Sequence, residues 1–282
     1  MEIVRAETAG FCMGVALALR RLDSLIEEAP VGPVATFGPI IHNPQVMEDY
    51  ARLGVSVAKS VDDISAGSSV VIRAHGIPRT TEEALCDRGA QVIDATCPRV
   101  KKAQILISRM AAEGRIVLLY GESEHPEVKG LVSYASAGAF VFESPEELYD
   151  FPFESGERYC LAAQTTQDKI VFRELADRLK DRKDLDVAVL QTICDATRDR
   201  QKEAIDIARG VDFMVVVGGR DSGNTRRLAK VVEAGGTPCV HVETAAELPL
   251  DRIRGTHRVG LTAGASTPKK LIDEVEAVLK NL

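Results

Sequence analysis

The sequence predicts an α/β protein built from three similar modules, each a mostly parallel sheet with flanking helices. Short apolar segments, typical of buried strands, alternate with amphipathic segments of helical period along the 282 residues. Each apolar segment is followed by a polar cluster at the point where a strand would end. The same order of clusters occurs three times, beginning at Cys12, Cys97 and Cys194.

In the first pass, the apolar segments predict strands and the segments with apolar residues at helical spacing predict helices. The predicted strands cover 2–6, 34–37, 69–72 and 91–94. The predicted helices cover 15–26, 46–53 and 81–88. Ser60 and Asp63 have the spacing of a capping box, which predicts a short capped helical turn at this point.

The second and third passes repeat this order. The predicted strands cover 116–120, 139–142, 158–162, 185–190, 213–217 and 258–261. The predicted helices cover 100–112, 169–179, a segment that ends at 209, and 268–279. Ser144 and Thr244 begin capped turns that correspond to the one at Ser60.

The polar clusters recur at nearly constant distances from the three cysteines. A second cluster begins roughly 30 residues after each cysteine, at His42, His125 and Ser222. A third follows each cysteine by roughly 70 residues, at His75, Thr165 and Ser266. Because ligands of open α/β sheets bind beyond the carboxyl ends of the strands, three modules could direct one cysteine each toward a shared centre.

Composition and charge exclude several classes of protein. The hydrophobic fraction of 45% is typical of a globular chain. The first residues lack the pattern of a signal peptide, and no segment approaches the roughly 18 apolar residues of a membrane span, so we expect a cytoplasmic protein. A net charge of −7 argues against nucleic-acid and membrane partners. The six cysteines are widely spaced, which makes a disulfide framework improbable.

Cys97 follows a predicted strand and precedes a predicted helix. Pro98 suits the first helical position, where its missing N–H is no loss, so we expect Cys97 at a helix N-terminus. Unpaired backbone N–H groups there favour the thiolate, the form that binds metals. Three such cysteines could hold zinc, or three irons of a cubane cluster whose fourth iron is open, and their spacing does not distinguish the two.

Donor side chains in the clusters suit a compact polyanion such as a small diphosphate, since several of them precede predicted helices. Glu127 lies beside His125 in the first turn of a predicted helix, which favours a proton donor. Cys86, Cys160 and Cys239 fall outside the repeat, so we interpret them as structural. The candidate anion-binding residues are His42, His75, His125, Ser222, Asn224, Thr225, Ser266 and Thr267.

Taken together, these motifs resemble the IspH/LytB family of 4-hydroxy-3-methylbut-2-enyl diphosphate reductases. The resemblance covers nearly the whole chain. The motifs that carry it are Gly10-Phe11-Cys12, His42-Asn43, Ala74-His75-Gly76, Ala95-Thr96-Cys97-Pro98, His125-Pro126-Glu127-Val128, Gln164-Thr165-Thr166, Cys194-Asp195-Ala196-Thr197, Ser222-Gly223-Asn224 and Thr262-Ala263-Gly264-Ala265-Ser266.

The resemblance implies a cofactor and a set of site residues. Cys12, Cys97 and Cys194 would hold a [4Fe-4S] cluster whose fourth iron takes the substrate's hydroxyl oxygen. Glu127 and Thr165 would relay protons. The diphosphate would lie against His42, His75, His125, Thr165, Ser222, Gly223, Asn224 and Ser266. The family pattern has a second serine where this chain has Gly223, so a hydroxyl contact is absent there while the backbone N–H remains.

The resemblance also implies a trefoil-like arrangement of three modules around the iron–sulfur site. We expect modules at 14–96, 97–193 and 194–282, with residues 1–13 joining the third. The implied reaction is the reductive dehydroxylation of the substrate to isopentenyl and dimethylallyl diphosphates, the last step of the non-mevalonate pathway. Its two electrons would come from a ferredoxin or a flavodoxin with its reductase. The alternatives are a zinc hydrolase of a small phosphorylated substrate and a non-catalytic iron–sulfur redox module.

Overall fold

A computed structural model describes residues 1–282 and contains twelve strands. Every strand pairing is parallel, as expected where helices connect successive strands. The strands are β1 (Glu2–Arg5), β2 (Val34–Phe37), β3 (Ser56–Ala58), β4 (Ser69–Ile72), β5 (Gln91–Asp94), β6 (Ile116–Tyr120), β7 (Ala139–Phe142), β8 (Arg158–Ala163), β9 (Asp186–Val189), β10 (Phe213–Val217), β11 (Cys239–Val242) and β12 (Arg258–Ala263).

Eleven α-helices and two short 3₁₀ turns, at Val61–Asp63 and Ala245–Glu247, connect the strands. None of the helices is long and apolar enough to cross a membrane. The helices are α1 (Met13–Glu27), α2 (Pro44–Arg52), α3 (Arg79–Asp87), α4 (Pro98–Ala112), α5 (Pro126–Val132), α6 (Pro145–Tyr149), α7 (Lys169–Asp181), α8 (Asp195–Ala208), α9 (Gly223–Ala234), α10 (Leu250–Ile253) and α11 (Lys269–Lys280).

The strands form three four-stranded sheets with one topology. The sheets have the orders β3-β2-β4-β5, β7-β6-β8-β9 and β11-β10-β12-β1. In each sheet the first strand of the module, which is β2, β6 or β10, lies between the second and the third strands. The fourth strand, which is β5, β9 or β1, lies at the edge beside the third. The predicted α/β fold class with three similar parallel modules is therefore confirmed. The predicted module boundaries remain a proposal.

The chain contacts define two compact units, of which the first contains one sheet. This first unit comprises Met1–Ala16, Ile41–Arg52 and Asp195–Leu282. Its central strand β10 is buried on both faces, as is usual for a parallel sheet covered by helices. Val215 packs in the same core cluster as Ile272 of α11, and Val216 in the one that contains Leu228 of α9.

The second unit comprises Leu17–Ile40 and Leu53–Cys194 and contains the other two sheets. Strand β6 is likewise buried on both faces. Leu119 belongs to the core cluster with Ile107 of α4, and Leu118 belongs to the cluster with Phe172 of α7. Helices on both faces leave only the strand ends for polar groups. The predicted site residues follow the carboxyl ends of strands.

Most predicted elements are present, with ends that differ by a few residues. Four elements are not predicted from the sequence, namely β3, α9, β11 and α10. The capped turn at Ser60 is present, and its backbone N–H donates to the Asp63 carboxylate at 2.9 Å. Ser60 and Asp63 thus form the capping box that their spacing predicts.

Candidate active site

Each of the three repeated cysteines directly precedes a helix. Cys97 is the N-cap of α4 and Pro98 occupies its first turn, as the sequence predicts. Cys12 precedes α1, and its Sγ accepts the backbone N–H of Val15 at 3.5 Å. Cys194 precedes α8. In each module the cysteine therefore stands at the positive end of a helix dipole.

The backbone N–H of each repeated cysteine donates to a carbonyl group of the third polar cluster. This bond lies beyond the carboxyl ends of the third and fourth strands of each sheet, and it fixes the cysteine at that end of the sheet. The bonds run from Cys12 N to Ala265 O at 3.1 Å, from Cys97 N to Ala74 O at 2.9 Å and from Cys194 N to Thr165 O at 3.0 Å.

The other three cysteines have different surroundings. Burial raises the pKa of Cys160 to about 11 and that of Cys239 to about 12. Both thiols therefore stay protonated at neutral pH, whereas metal ligation needs a thiolate. Cys86 is exposed on α3, and no disulfide is formed. Cys12, Cys97 and Cys194 are partly exposed and form the only set related by the repeat.

Arg200 anchors the segment that leads to Cys12. Its side chain is 3% exposed, and its Nη groups donate to the carbonyl oxygens of Ala263 at 2.8 Å and Gly10 at 3.0 Å. Arg200 also donates to the carbonyl of Thr8. The Nη groups of this buried guanidinium thus tie strand β12 to the loop after β1.

Glu203, one helical turn after Arg200, binds the N–H groups of the loop whose carbonyl groups Arg200 binds. Its carboxylate accepts the backbone N–H groups of Glu7 at 2.7 Å and Thr8 at 3.0 Å. The Thr8 hydroxyl donates to the same carboxylate. Helix α8 therefore presents one cation and one anion to a single loop, which restricts the position of Cys12.

His125 caps α5. The backbone N–H of Glu127 donates to its Nδ1 at 3.1 Å, and the side chain is 8% exposed. An acceptor at Nδ1 must have a lone pair, so the proton of the neutral ring is on Nε2. His125 can therefore donate a hydrogen bond from Nε2. The ring centroid of His75 lies 5.3 Å away, with the two rings nearly perpendicular.

Glu127 is a buried carboxyl group bonded to Thr165. The side chain is 1% exposed. Its oxygens accept the backbone N–H of Thr165 at 2.6 Å and the Thr165 hydroxyl at 2.9 Å. Burial raises the pKa of Glu127 from 4.5 to about 7, against the two hydrogen bonds from Thr165, which lower it. The carboxyl group is thus protonated in a large fraction of molecules at neutral pH.

In the first unit, Ser266 connects two predicted residues. Its Oγ lies 3.2 Å from the carbonyl oxygen of His42 and 3.4 Å from Oγ of Ser222. Ser222 is the N-cap of α9, and its Oγ accepts the backbone N–H of Thr225 at 3.4 Å. At Gly219 a Cβ would lie 2.6 Å from the same His42 carbonyl oxygen, so only glycine fits there.

The first turn of α9 contains buried polar groups without partners. Asn224 is 6% exposed, and its Nδ2 has no hydrogen-bond partner. Oγ1 of Thr225 is also buried and unpartnered. Gly223 is the first residue of the helix and leaves its backbone N–H without an intrahelical acceptor. Unsatisfied buried donors at a helix N-terminus suit an anion.

The structure brings the predicted residues together in two groups, one in each unit. Sequence reasoning missed Arg200, whose side chain anchors the segment that leads to Cys12. The first group contains Cys12, His42, Ser222, Gly223, Asn224 and Ser266. The second group contains His75, Cys97, His125, Glu127, Thr165 and Cys194.

Comparison with known proteins identifies the family. The family model described as "LytB protein" matches residues 3–280. The chain belongs to the LytB family. The resemblance predicted from the motifs is therefore confirmed.

A curated relative and a solved structure carry the same enzyme name. A protein of Solidesulfovibrio magneticus named 4-hydroxy-3-methylbut-2-enyl diphosphate reductase is 57% identical over 285 residues, which cover 100% of both chains. A solved structure of (E)-4-hydroxy-3-methyl-but-2-enyl diphosphate reductase, the terminal enzyme of the non-mevalonate pathway, is 39% identical with a TM-score of 0.71 over 100% of both chains.

A second solved structure supports the LytB fold. It is that of E-1-hydroxy-2-methyl-but-2-enyl-4-diphosphate reductase from Plasmodium falciparum, with a TM-score of 0.94. The likeness covers 99% of this chain and 88% of that one, at 24% identity. At this identity the comparison shows the fold alone.

Proposed function

We propose that this LytB-family chain catalyses the reductive dehydroxylation of (E)-4-hydroxy-3-methylbut-2-enyl diphosphate to isopentenyl and dimethylallyl diphosphates. This is the last step of the non-mevalonate isoprenoid pathway, and it makes the chain an iron–sulfur oxidoreductase. The name shared by full-length relatives supports this activity over a zinc hydrolase or a non-catalytic redox module. The observation that carries the proposal is Glu127, a buried carboxyl group bonded to Thr165, whose carbonyl accepts the N–H of Cys194.

The three repeated cysteines fit a [4Fe-4S] cluster. All three are partly exposed residues that precede helices, and thiolates are the usual ligands of such clusters. When bound by Cys12, Cys97 and Cys194, the cluster would supply single-electron transfer and a Lewis-acidic iron. Partly exposed free thiols of this kind persist in a reducing compartment, so we propose that the enzyme works in the cytoplasm.

The polar residues of the two groups would hold the diphosphate. In the first group, the Nδ2 of Asn224 and the start of α9 lack the partner that a phosphate oxygen would provide. In the second group, His125 can donate from Nε2 because its Nδ1 accepts the N–H of Glu127. The residues proposed to bind the diphosphate are His42, His75, His125, Thr165, Ser222, Gly223, Asn224 and Ser266.

Glu127 would supply the proton that allows the hydroxyl group to leave as water. The reaction consumes two electrons and two protons, breaks the carbon–oxygen bond of the alcohol and forms a carbon–hydrogen bond. A carboxyl group with a pKa of about 7 is protonated often enough at neutral pH to act as the acid. The Thr165 hydroxyl is 2.9 Å from the carboxylate and can relay the proton.

Iron and sulfide content, together with turnover, test the proposal. We expect anaerobically purified protein to contain about four irons and four acid-labile sulfides per chain. With reduced methyl viologen it should convert the hydroxylated diphosphate to the two products, and the substrate should change the electron paramagnetic resonance spectrum. Zinc without sulfide, even after cluster reconstitution, or a loaded cluster that gives no product, would contradict the proposed function.

The electrons would come from an acidic carrier protein, a ferredoxin or a flavodoxin with its reductase. A groove of about 530 Å³ in the second unit supports this, since Thr96 and Pro98, the neighbours of Cys97, line it. Ile105, half exposed, adds an apolar contact. A carrier seated there would lie beside a proposed cluster ligand.

The charge of this groove is positive although the whole chain carries −7. One carboxylate, Asp94, faces the four cations, and it is paired with Lys101 at 2.7 Å. Glu82, Glu83 and Asp87 line the adjoining groove, which shares Arg109 with this one, so the excess of positive charge is on the side of α4 that faces Asp94. Such a field accelerates association with an acidic protein. The cations of the groove are Arg21, Lys101, Lys102 and Arg109.

Charge reversal in the groove should weaken the use of a protein donor only. In the double variant Lys102→Glu and Arg109→Glu, we expect the KM for a reduced acidic [2Fe-2S] ferredoxin to rise about tenfold or more, with a weaker dependence on salt. Turnover with methyl viologen should stay within a factor of about two. The matched control is Lys183→Glu, which changes an exposed lysine before β9. Equal ferredoxin KM values in the groove variant and the wild type would refute this docking surface.

A further inference from the structure

Arg73 lies at the carboxyl end of β4, at the start of the turn that contains His75. The backbone N–H of Gly76 donates to the Arg73 carbonyl at 2.9 Å, which closes this turn. Ala74, between the two side chains, accepts the N–H of Cys97. The position of the Arg73 backbone is therefore fixed by the same bonds that fix His75 and Cys97.

The Arg73 side chain is partly buried and has no counter-charge. Its Nε is buried and has no hydrogen-bond partner. Burial lowers the pKa of Arg73 from 12.5 to about 10, and no carboxylate contributes to the shift. The side chain thus remains a cation at neutral pH. Burying a cation is costly unless an anion or hydrogen-bond acceptors compensate it.

Gly38, which follows the neighbouring strand β2, makes room for this cation. It has a φ of +71°, a conformation that favours glycine. A Cβ at Gly38 would lie 2.3 Å from Nη1 of Arg73 and 2.7 Å from its Cζ. A side chain at position 38 would therefore require the guanidinium to move from this position.

Arg115 and Arg200 share with Arg73 a buried Nε that makes no hydrogen bond, but their Nη groups donate within the fold. Arg115 donates to the Asp186 carboxylate at 2.8 Å and to the Tyr159 carbonyl at 3.1 Å. Arg200 donates to backbone carbonyls, as described above. These two arginines have partners within the fold, whereas Arg73 has none for its Nη groups. Arg73 therefore lacks the internal partners that the structural arginines Arg115 and Arg200 have.

We propose that Arg73 is an anion-binding residue that receives a phosphate group of the substrate's diphosphate. This inference rests on the proposed function. The planar guanidinium presents two parallel N–H donors, which match two oxygens of one phosphate. His75 lies in the same turn, and its ring packs against that of His125, so three nitrogen-bearing side chains belong to this end of the sheet. The bound anion would supply the missing counter-charge.

Binding of inorganic diphosphate to the cluster-loaded protein tests the assignment. We expect Arg73→Met to raise the Kd for diphosphate about 30-fold and the KM for the hydroxylated substrate about tenfold or more. Iron content should not change. The melting temperature of the ligand-free variant should equal or exceed that of the wild type, because methionine removes an uncompensated buried charge. Diphosphate should raise the melting temperature of the wild type more than that of the variant.

Two further variants make the result decisive. Arg73→Lys, which keeps the charge without the fork of donors, should bind diphosphate with intermediate affinity. Arg88→Met removes an arginine that donates to Asp62 and the Ile64 carbonyl, and it should bind diphosphate like the wild type. An unchanged diphosphate Kd in both Arg73 variants, or a lower melting temperature with unchanged affinity, would assign Arg73 a structural role. A wild type that binds diphosphate but forms no product would refute the proposed function alone.

Discussion

Glu127→Gln is expected to lower kcat by about 100-fold or more while the KM for the hydroxylated diphosphate changes little. Glutamine keeps the shape of the side chain and can still accept one hydrogen bond from Thr165, but it cannot donate a proton to a leaving hydroxyl group. Glu127 is 1% exposed, so bulk water cannot easily replace it as the acid. Turnover with methyl viologen as the electron source measures the effect without a protein donor.

The matched control is Glu124→Gln, on the same loop. Glu124 is exposed and pairs with Lys129 at 2.7 Å, so its loss should leave kcat within a factor of about two. Iron content and diphosphate affinity should be those of the wild type in both variants. If Glu127→Gln turns over at the wild-type rate, the proton reaches the substrate by another route.

The raised pKa of Glu127 also predicts a pH dependence of stability. The folded protein binds this proton up to about pH 7 and the unfolded chain only up to about pH 4.5, so the stabilisation is complete below 4.5 and is lost as the pH rises through 7. Between pH 5.5 and 8 the wild type should lose about 2 kcal/mol relative to Glu127→Gln. Urea unfolding of both proteins measures the difference. An identical pH profile for the two would exclude a raised pKa in the folded state.

Arg200→Met should produce the largest loss of stability. The substitution leaves the buried carbonyl groups of Ala263 and Gly10 without donors and detaches the loop before Cys12. We expect the free energy of unfolding of the first unit to fall by about 3 kcal/mol or more, and the iron content of purified protein to fall with it. Urea unfolding and limited proteolysis near the N-terminus would detect the change.

Arg209→Met, near the end of the same helix, is the control for Arg200. Arg209 is exposed and lies 3.4 Å from Asp206. Its loss should change the free energy of unfolding by less than about 0.5 kcal/mol. If the Arg200 variant retained both its stability and its iron, the loop after β1 would have to be held mainly by Glu203.

The strands that the sequence predicts best are those buried on both faces. Strands β6 and β10 are uninterrupted apolar segments, and their observed ends are those predicted. Strand β3 has only three residues, and β11 alternates apolar residues with Cys239 and His241, so neither stands out from a loop. Helix α10, with four residues, depends on tertiary packing of Ile253.

Helix α9 could have been predicted. Ser222 has the character of an N-cap, and Leu228, Ala229 and Val232 recur at helical spacing and are buried. This helical spacing comes directly after the polar cluster at Ser222, and the polar residues are interpreted as functional and not as the start of a helix. A capping interaction joins residues that are only a few positions apart, so the start of such a helix can be recognised from the sequence alone.

The positions of the site residues at strand ends and helix starts follow from the repeat, but their energetics do not. Glu127 becomes a weak acid only because the fold buries it, and burial of a single glutamate leaves no pattern in a sequence. Arg73, after an apolar strand, resembles any solvated arginine at the end of a sheet. The guanidinium lies close to Gly38, which is distant from Arg73 in the sequence, so this contact is visible only in the structure.

The N-terminal strand β1 takes the place in its sheet that β5 and β9 take in theirs. It pairs with β12 from Glu2 beside Arg258 to Arg5 beside Leu261, so two segments that are far apart in the chain meet in one sheet. The other two sheets can complete themselves during synthesis, while the third waits for the C-terminal segment. Cys12, the first of the repeated cysteines along the chain, therefore depends for its position on a segment made much later, since its N–H donates to the Ala265 carbonyl.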